Sequence, residues 1–145
     1  MNTEYDIYVA LSDYLKVKYP KVMFNFDMSG LFLQNNYGLI KKNNRIKCDG
    51  VAMPDLFIMK SNKEYNGLFI EIKKEGGSPY KNNGHLRKTY FSGDQVNQKN
   101  TLNVLNEEGY YACFCTGFDK CVELIDWYLE FRYEICFTCL IINIY

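Results

Sequence analysis

The apolar positions of the chain fall into short blocks whose spacing changes from one block to the next. In "TEYDIYVALSDYLKVK", residues 3 to about 18, Ile7, Tyr8, Leu11 and Leu15 recur at helical spacing with Glu4 on the same stripe. Thr3 is placed to cap that helix and Pro20 to close it. "VMFNF" (22–26) predicts a strand, and residues 27 to 50, polar and Gly/Asn-rich with a basic middle, predict a long functional excursion. In "MPDLFIMKSNKEYNGLFIEIKK" (53–74), two apolar runs flank a polar turn, which predicts a β-hairpin with strands near 55–60 and 67–74. Residues 75 to 92 are rich in Gly, Asn, Ser and Lys and predict a second loop. From Gly93 to Glu108 the pattern is helical again, with Gln98, Leu102 and Leu105 on one face and Gly109 as the residue that ends it. "YYACFC" (110–115) predicts a strand. Asp119 then caps a helix to about 131 that turns Val122, Ile125 and Leu129 inward. The tail "EICFTCLIINIY" (134–145) is apolar and β-branched.

The predicted order is helix, strand, hairpin, helix, strand, helix. That order implies an α/β fold, a mixed central sheet flanked by helices. A chain of 145 residues can bury one real core, and no repeat or linker divides it. We therefore expect a single domain over 1–145, with its core at about 4–131 and a C-terminal tail at 132–145.

The hairpin carries charges where a buried sheet should not. Side chains alternate along a strand, so Leu68, Ile70 and Ile72 share one face while Phe69, Glu71 and Lys73 share the other. If Lys60 pairs with Asn66, paired residue numbers sum to 126, and Asp55 falls opposite Glu71. A slip of one residue would separate them. Two facing carboxylates repel each other, and a hard divalent cation with oxygen ligands relieves that repulsion. Such an ion activates water and stabilises charge developing on a phosphate, so the chemistry suits phosphodiester hydrolysis. A zinc hydrolase would want histidines, and the chain has only His85. The blander reading is a salt-bridged surface hairpin.

Composition narrows the partners little. Formal net charge is zero, so no global field draws in a polyanion. Local clusters remain: Lys41, Lys42, Arg45 and Lys47 in the first loop, and Lys74, Lys81, Arg87 and Lys88 in the second, beside Lys73. No signal peptide is visible and no apolar run nears the roughly 18 to 20 residues of a membrane span. A cytoplasmic protein with six reduced cysteines is expected. Cys113 and Cys115 with the pair Cys136 and Cys139 could suggest a four-thiolate zinc site, but the first spacing is wrong for a zinc knuckle and reduced cysteines are common in cores.

"PD" at 54–55 followed by "EIK" at 71–73 resembles the PD-(D/E)xK nuclease signature. With "YLKVKYPKVMF", "GVAMPDLFIMK", "GLFIEIKKEGG" and "QVNQKNTLNVLNEEGYYACFCTGFDKCVELIDWYL", the chain resembles VRR-NUC domains over roughly residues 4 to 129. These are small nucleases of phages and mobile elements, with relatives inside DNA-repair nucleases. The resemblance implies a restriction-endonuclease-like αβββαβ core and a Mg²⁺ cofactor, with Mn²⁺ as substitute. It implies that Asp55, Glu71 and the backbone carbonyl of Ile72 bind the metal, that Lys73 is the catalytic lysine, and that Gln98 (with Gln95 one turn earlier) reaches water or phosphate. Glu4 corresponds to an N-terminal acid that some members place near the metal. The implied substrate is DNA, branched or flapped, cut by an endonuclease that forms a homodimer. The alternative is a catalytically inactive nucleic-acid-binding or assembly module on the same fold. The tail and the 75–92 loop have no clear counterpart in the family.

Overall fold

A computed structural model describes residues 3–27, Gly38, Lys42, 52–77 and 98–130. Its elements run α1 (Glu4–Lys18), β1 (Phe24–Phe26), β2 (Leu56–Ile58), β3 (Leu68–Lys73), α2 (Gln98–Glu107), β4 (Tyr111–Thr116) and α3 (Phe118–Glu130). The four strands form one sheet in the order β1-β2-β3-β4, antiparallel at the first two seams and parallel at the third. The parallel seam needs a crossover, and α2 lies in that connection. The αβββαβ order expected from the sequence is present, with α3 following it.

Helix α1 begins where its sequence says it should. The Thr3 hydroxyl accepts from the Asp6 N–H at 3.1 Å and the Asp6 carboxylate accepts from the Thr3 N–H at 3.0 Å, a reciprocal cap. Its apolar stripe Ile7, Tyr8, Leu11 and Leu15 packs with Leu56, Ile58, Leu68, Ile70 and Ile72 from the sheet and Cys121, Ile125 and Tyr128 from α3. Outside that core the two helices are clamped by polar groups. Lys18 Nζ reaches Asp126 at 2.8 Å and Glu130 at 3.0 Å, and the Tyr19 hydroxyl lies 2.8 Å from each carboxylate, its one proton shared between them.

The opposite sheet face carries its own smaller core of Phe69, Leu102 and Ala112, so the charges of β3 do not face open water. Phe57 stacks on Phe69 with centroids 4.1 Å apart. The turn from α2 to β4 runs through Gly109, whose φ of +82° favours glycine. Asn106 fastens that turn: its amide donates to the carbonyls of Leu102 and Ala112 at 2.7 and 2.8 Å, and its oxygen accepts from the Ala112 N–H at 3.0 Å.

Several boundaries differ from the sequence expectation. Strands β1 and β2 have three residues each, since Pro54 and the Asp55 bend stop β2 early. Asp119 lies in the first turn of α3, not at its cap. The inward residues of α3 are Cys121, Ile125 and Tyr128, with Val122 and Leu129 only flanking, because apolar residues on both sides of Ile125 leave the helical phase open. The expected tail, and most of both loops, fall outside the described residues. Among the described residues no helix is long and apolar enough to cross a membrane.

Candidate active site

The hairpin register is the one the sequence predicts. Leu56 pairs with Ile70, Phe57 with Phe69 and Ile58 with Leu68, each pair summing to 126. Continued by one position, the same register sets Asp55 against Glu71; continued by two, it sets Pro54 against Ile72. Backbone groups at Ile72 point toward the β2 side, as they do at Ile70. Proline has no N–H, so it offers the Ile72 carbonyl no ladder bond. The Ile72 N–H is claimed instead by the Asp55 carboxylate, which accepts it at 2.7 Å. The end of the ladder and the expected metal site are therefore built by the same two residues.

Glu71 is 3% exposed, and two side chains converge on its Oε1. Lys73 Nζ lies 2.6 Å from it, and the Gln98 amide nitrogen donates to the same oxygen. Gln98 opens α2, so the crossover helix delivers its first side chain onto β3. The carboxylate can only accept, which turns Gln98 Oε1 away; that buried oxygen has no hydrogen-bond partner among the described residues. Tyr8, on α1, lies buried near the two acids, and their charges act on its hydroxyl. Sequence patterning hides that placement, because Tyr8 sits in the apolar stripe and reads as core. Glu4 lies one turn earlier, half-buried, and its charge acts on Asp55, Glu71 and Lys73.

The electrostatics follow from that crowding. Burial, then the neighbouring Asp55 charge, push the Glu71 carboxyl up to about 7, with Lys73 opposing. Burial raises Asp55 as well, against the nearby Tyr8 hydroxyl, the Ile72 N–H and the charge of Lys73. Burial alone would lower Lys73, but the Glu71 carboxylate beside it outweighs that and keeps the ammonium charged. The Tyr8 hydroxyl, raised by burial and by the acids around it, stays a donor.

A hard divalent cation fits this donor set. Asp55, Glu71, the Ile72 carbonyl and the orphaned Gln98 oxygen are all oxygen donors, and burial keeps both carboxyls raised even beside Lys73. Among the described residues no three His, Cys, Asp or Glu side chains gather as a ready cage, Glu4 included. Magnesium characteristically uses one or two carboxylates and completes its shell with water and substrate phosphate.

Of the other expected residues, few fall among the described ones. Lys74 follows β3 and is exposed, and Lys42 is exposed; Lys41, Arg45, Lys47, Lys81, Arg87, Lys88 and Gln95 lie outside the described residues. Cys113, Cys115 and Cys121 are free thiols. Burial pushes the Cys113 thiol up to about 12, the opposite of what a zinc thiolate needs, while Cys136 and Cys139 lie outside the described residues.

No protein-family model and no curated protein matches the sequence. Among solved structures, the chain is similar to one titled "VRR_NUC domain protein", with a TM-score of 0.59 and 22% identity over 90% of each chain. At that identity the likeness is one of fold: the chain has the α/β architecture of a VRR_NUC domain, a mixed four-stranded sheet with its helices on both faces.

Proposed function

We propose that this chain is a divalent-cation-dependent nuclease that hydrolyses phosphodiester bonds in DNA. The observation that carries the reading is the convergence of Lys73 and Gln98 on Glu71, in a hairpin register that brings Asp55 alongside. Asp55, Glu71 and the Ile72 carbonyl would hold the ion, with Glu4 as an outlying acid. When bound, Mg²⁺ (or Mn²⁺) would supply charge neutralisation at the phosphate and an acidified water. Lys73, a cation two residues from Glu71, orients water or grips a phosphate oxygen. Gln98 holds Glu71 through its nitrogen and offers its free oxygen to water.

The finer reading follows the sequence resemblance: an endonuclease selective for branched or flapped DNA, acting as a homodimer. Its phosphate contacts come from Lys41, Lys42, Arg45, Lys47, Lys74, Lys81, Arg87 and Lys88, which position DNA without reading its sequence. The test is cleavage of labelled linear, nicked, flap and four-way-junction DNAs in Mg²⁺, with EDTA as control. Asp55→Ala and Lys73→Ala should each abolish cleavage while DNA binding stays measurable. Undiminished cleavage by either variant would sink the assignment.

One observation favours a non-catalytic module on the same fold: Lys73 and Glu71 form a close ion pair, as a structural pair would. Calorimetry separates the two readings, since a module of that kind takes up no Mg²⁺.

A further inference from the structure

We propose that the open cleft over β1 and β2 is a base-binding subsite, which seats an unpaired nucleobase of the DNA whose phosphate lies at Asp55 and Glu71. The inference rests on the nuclease reading above and names a feature of its substrate. The register of the sheet puts the cleft and the acids on one face. Asn25 pairs with Phe57, and Phe57 with Phe69. The Asp27 N–H donates to the Asp55 carbonyl at 2.9 Å and the Met59 N–H to the Met23 carbonyl at 2.8 Å, so the same pairing continues past both ends of β1. With side chains alternating, Asn25, Asp27, Phe57 and Met59 fall on the face of Asp55 and Glu71. Helix α2 covers the β3–β4 half of that face, where Leu102 packs with Phe69 and Ala112. The β1–β2 half holds instead a cleft of about 240 Å³, lined by Asn25, Asp27, Met53, Pro54, Phe57 and Met59.

The lining selects the occupant. The volume is below the roughly 300–1,000 Å³ of pockets for drug-sized ligands and suits one planar ring system. Phe69 takes one face of the Phe57 ring, with centroids 4.1 Å apart and planes 1° from parallel, so a base seated in the cleft extends that stack on the other side. Met53 and Met59, each 42% exposed, offer polarizable thioethers, which make favourable contacts with aromatic rings. Asn25 and Asp27 bring an amide and a carboxylate to meet ring nitrogens and amino groups at a base edge. That carboxylate repels a phosphate and tolerates a neutral ring, which assigns the cleft to a base and not to the backbone. The reach is short, since neighbouring strands lie about 4.7–4.9 Å apart and the cleft is one to two such spacings from Glu71. An unpaired base costs least to seat, because no pairing has to be broken first.

The experiment uses the full chain in Mg²⁺ and two duplexes, one with a single bulged adenine and one with an abasic residue at the same bulge. The two share their shape and phosphates and differ only in the base. Wild type, the double variant Met53→Ser/Met59→Ser and Asp55→Ala are compared by kcat/KM on each duplex, by thermal unfolding and by sedimentation. Wild type should cut the bulged-adenine duplex about 10-fold more efficiently or better. The double variant should bring that ratio close to one and unfold within a few degrees of wild type. Equal cutting of the two duplexes by wild type, lost in Asp55→Ala, would overturn the subsite and leave the nuclease reading intact. An unchanged ratio in the double variant would also overturn it, by placing the base elsewhere. A double variant that unfolds far below wild type, or that turns a wild-type dimer into a monomer, would overturn it too, by showing the methionines covered by the chain itself or by a second copy. Absence of any Asp55-dependent cutting would bring down both readings.

Discussion

Replacing Glu71 by Gln should flatten the pH dependence of stability in the metal-free protein. Glu71 titrates near 4.5 when exposed and is pushed up to about 7 in the fold. Because the folded value is the higher one, the folded state keeps a proton between those limits that the unfolded chain has released. Stability therefore falls as pH rises from 4.5 toward 7 and levels off above. The gap corresponds to about 3 kcal/mol, a large part of the stability of a small domain. A glutamine keeps the size and can still accept from Lys73, but has no proton to lose. Urea unfolding in EDTA at pH 5 and pH 8 measures the effect. Wild type should lose on the order of 3 kcal/mol between the two, and Glu71→Gln much less. Adding Mg²⁺ at pH 8 should restore wild type and leave the variant unchanged. Equal pH dependence in the two proteins would refute the claim that Glu71 is a buried, poorly compensated charge.

Three further expectations concern the scaffold. Asp126 is held below its ordinary range by Lys18, Tyr14 and Tyr19, against the cost of burial, so its contribution is present above pH 3.8 and lost as pH falls through the lower folded value. Asp126→Asn should cost about 1 kcal/mol near neutrality and shrink that acid-side loss, as acid titration of the circular dichroism signal would show. Asn106→Asp keeps the acceptor for the Ala112 N–H but removes both donated bonds, and should destabilise by about 1–2 kcal/mol in urea melts; no change would mean the α2–β4 turn holds without it. Gly109→Ala places a methyl group at a φ of +82° and 2.9 Å from Asn66 Nδ2, and should lower stability by about 1 kcal/mol or more in the same assay.

The parts of the fold legible in the sequence are those set by strict periodicity. The stripe Ile7, Tyr8, Leu11 and Leu15 and the alternation of β3 each leave a single way to turn the chain inward, and the core contains both sets. The hairpin register followed from that alternation and a short turn, and it placed Asp55 and Glu71 together. What patterning missed arises where one residue serves two purposes. Tyr8 reads as apolar core because its ring is core; that its hydroxyl feels the charges of Asp55 and Glu71 is not legible in the stripe. In α3 the phase was ambiguous, and Tyr128 won an inward place partly because its hydroxyl donates to the Lys60 carbonyl at 2.7 Å, a contact distant in sequence. The face of β3 bearing Glu71 read as the charged one, yet Phe69 with Leu102 and Ala112 makes it a second core, which is why its carboxyl is so strongly perturbed.

Pro54 leaves the sheet unfinished on purpose, and evolution can finish it. Almost any other residue there would bring an N–H opposite the Ile72 carbonyl, letting β2 zip one rung further. The extra rung would compete with Asp55 for the Ile72 N–H and close off the carbonyl. On the nuclease reading proposed above, a lineage released from catalysis would thus find a stabilising substitution at Pro54 that an active lineage would decline. Pro54→Thr, with a higher melting temperature in EDTA and weaker Mg²⁺ uptake, would display that conflict in one protein; a variant no more stable than wild type would remove it.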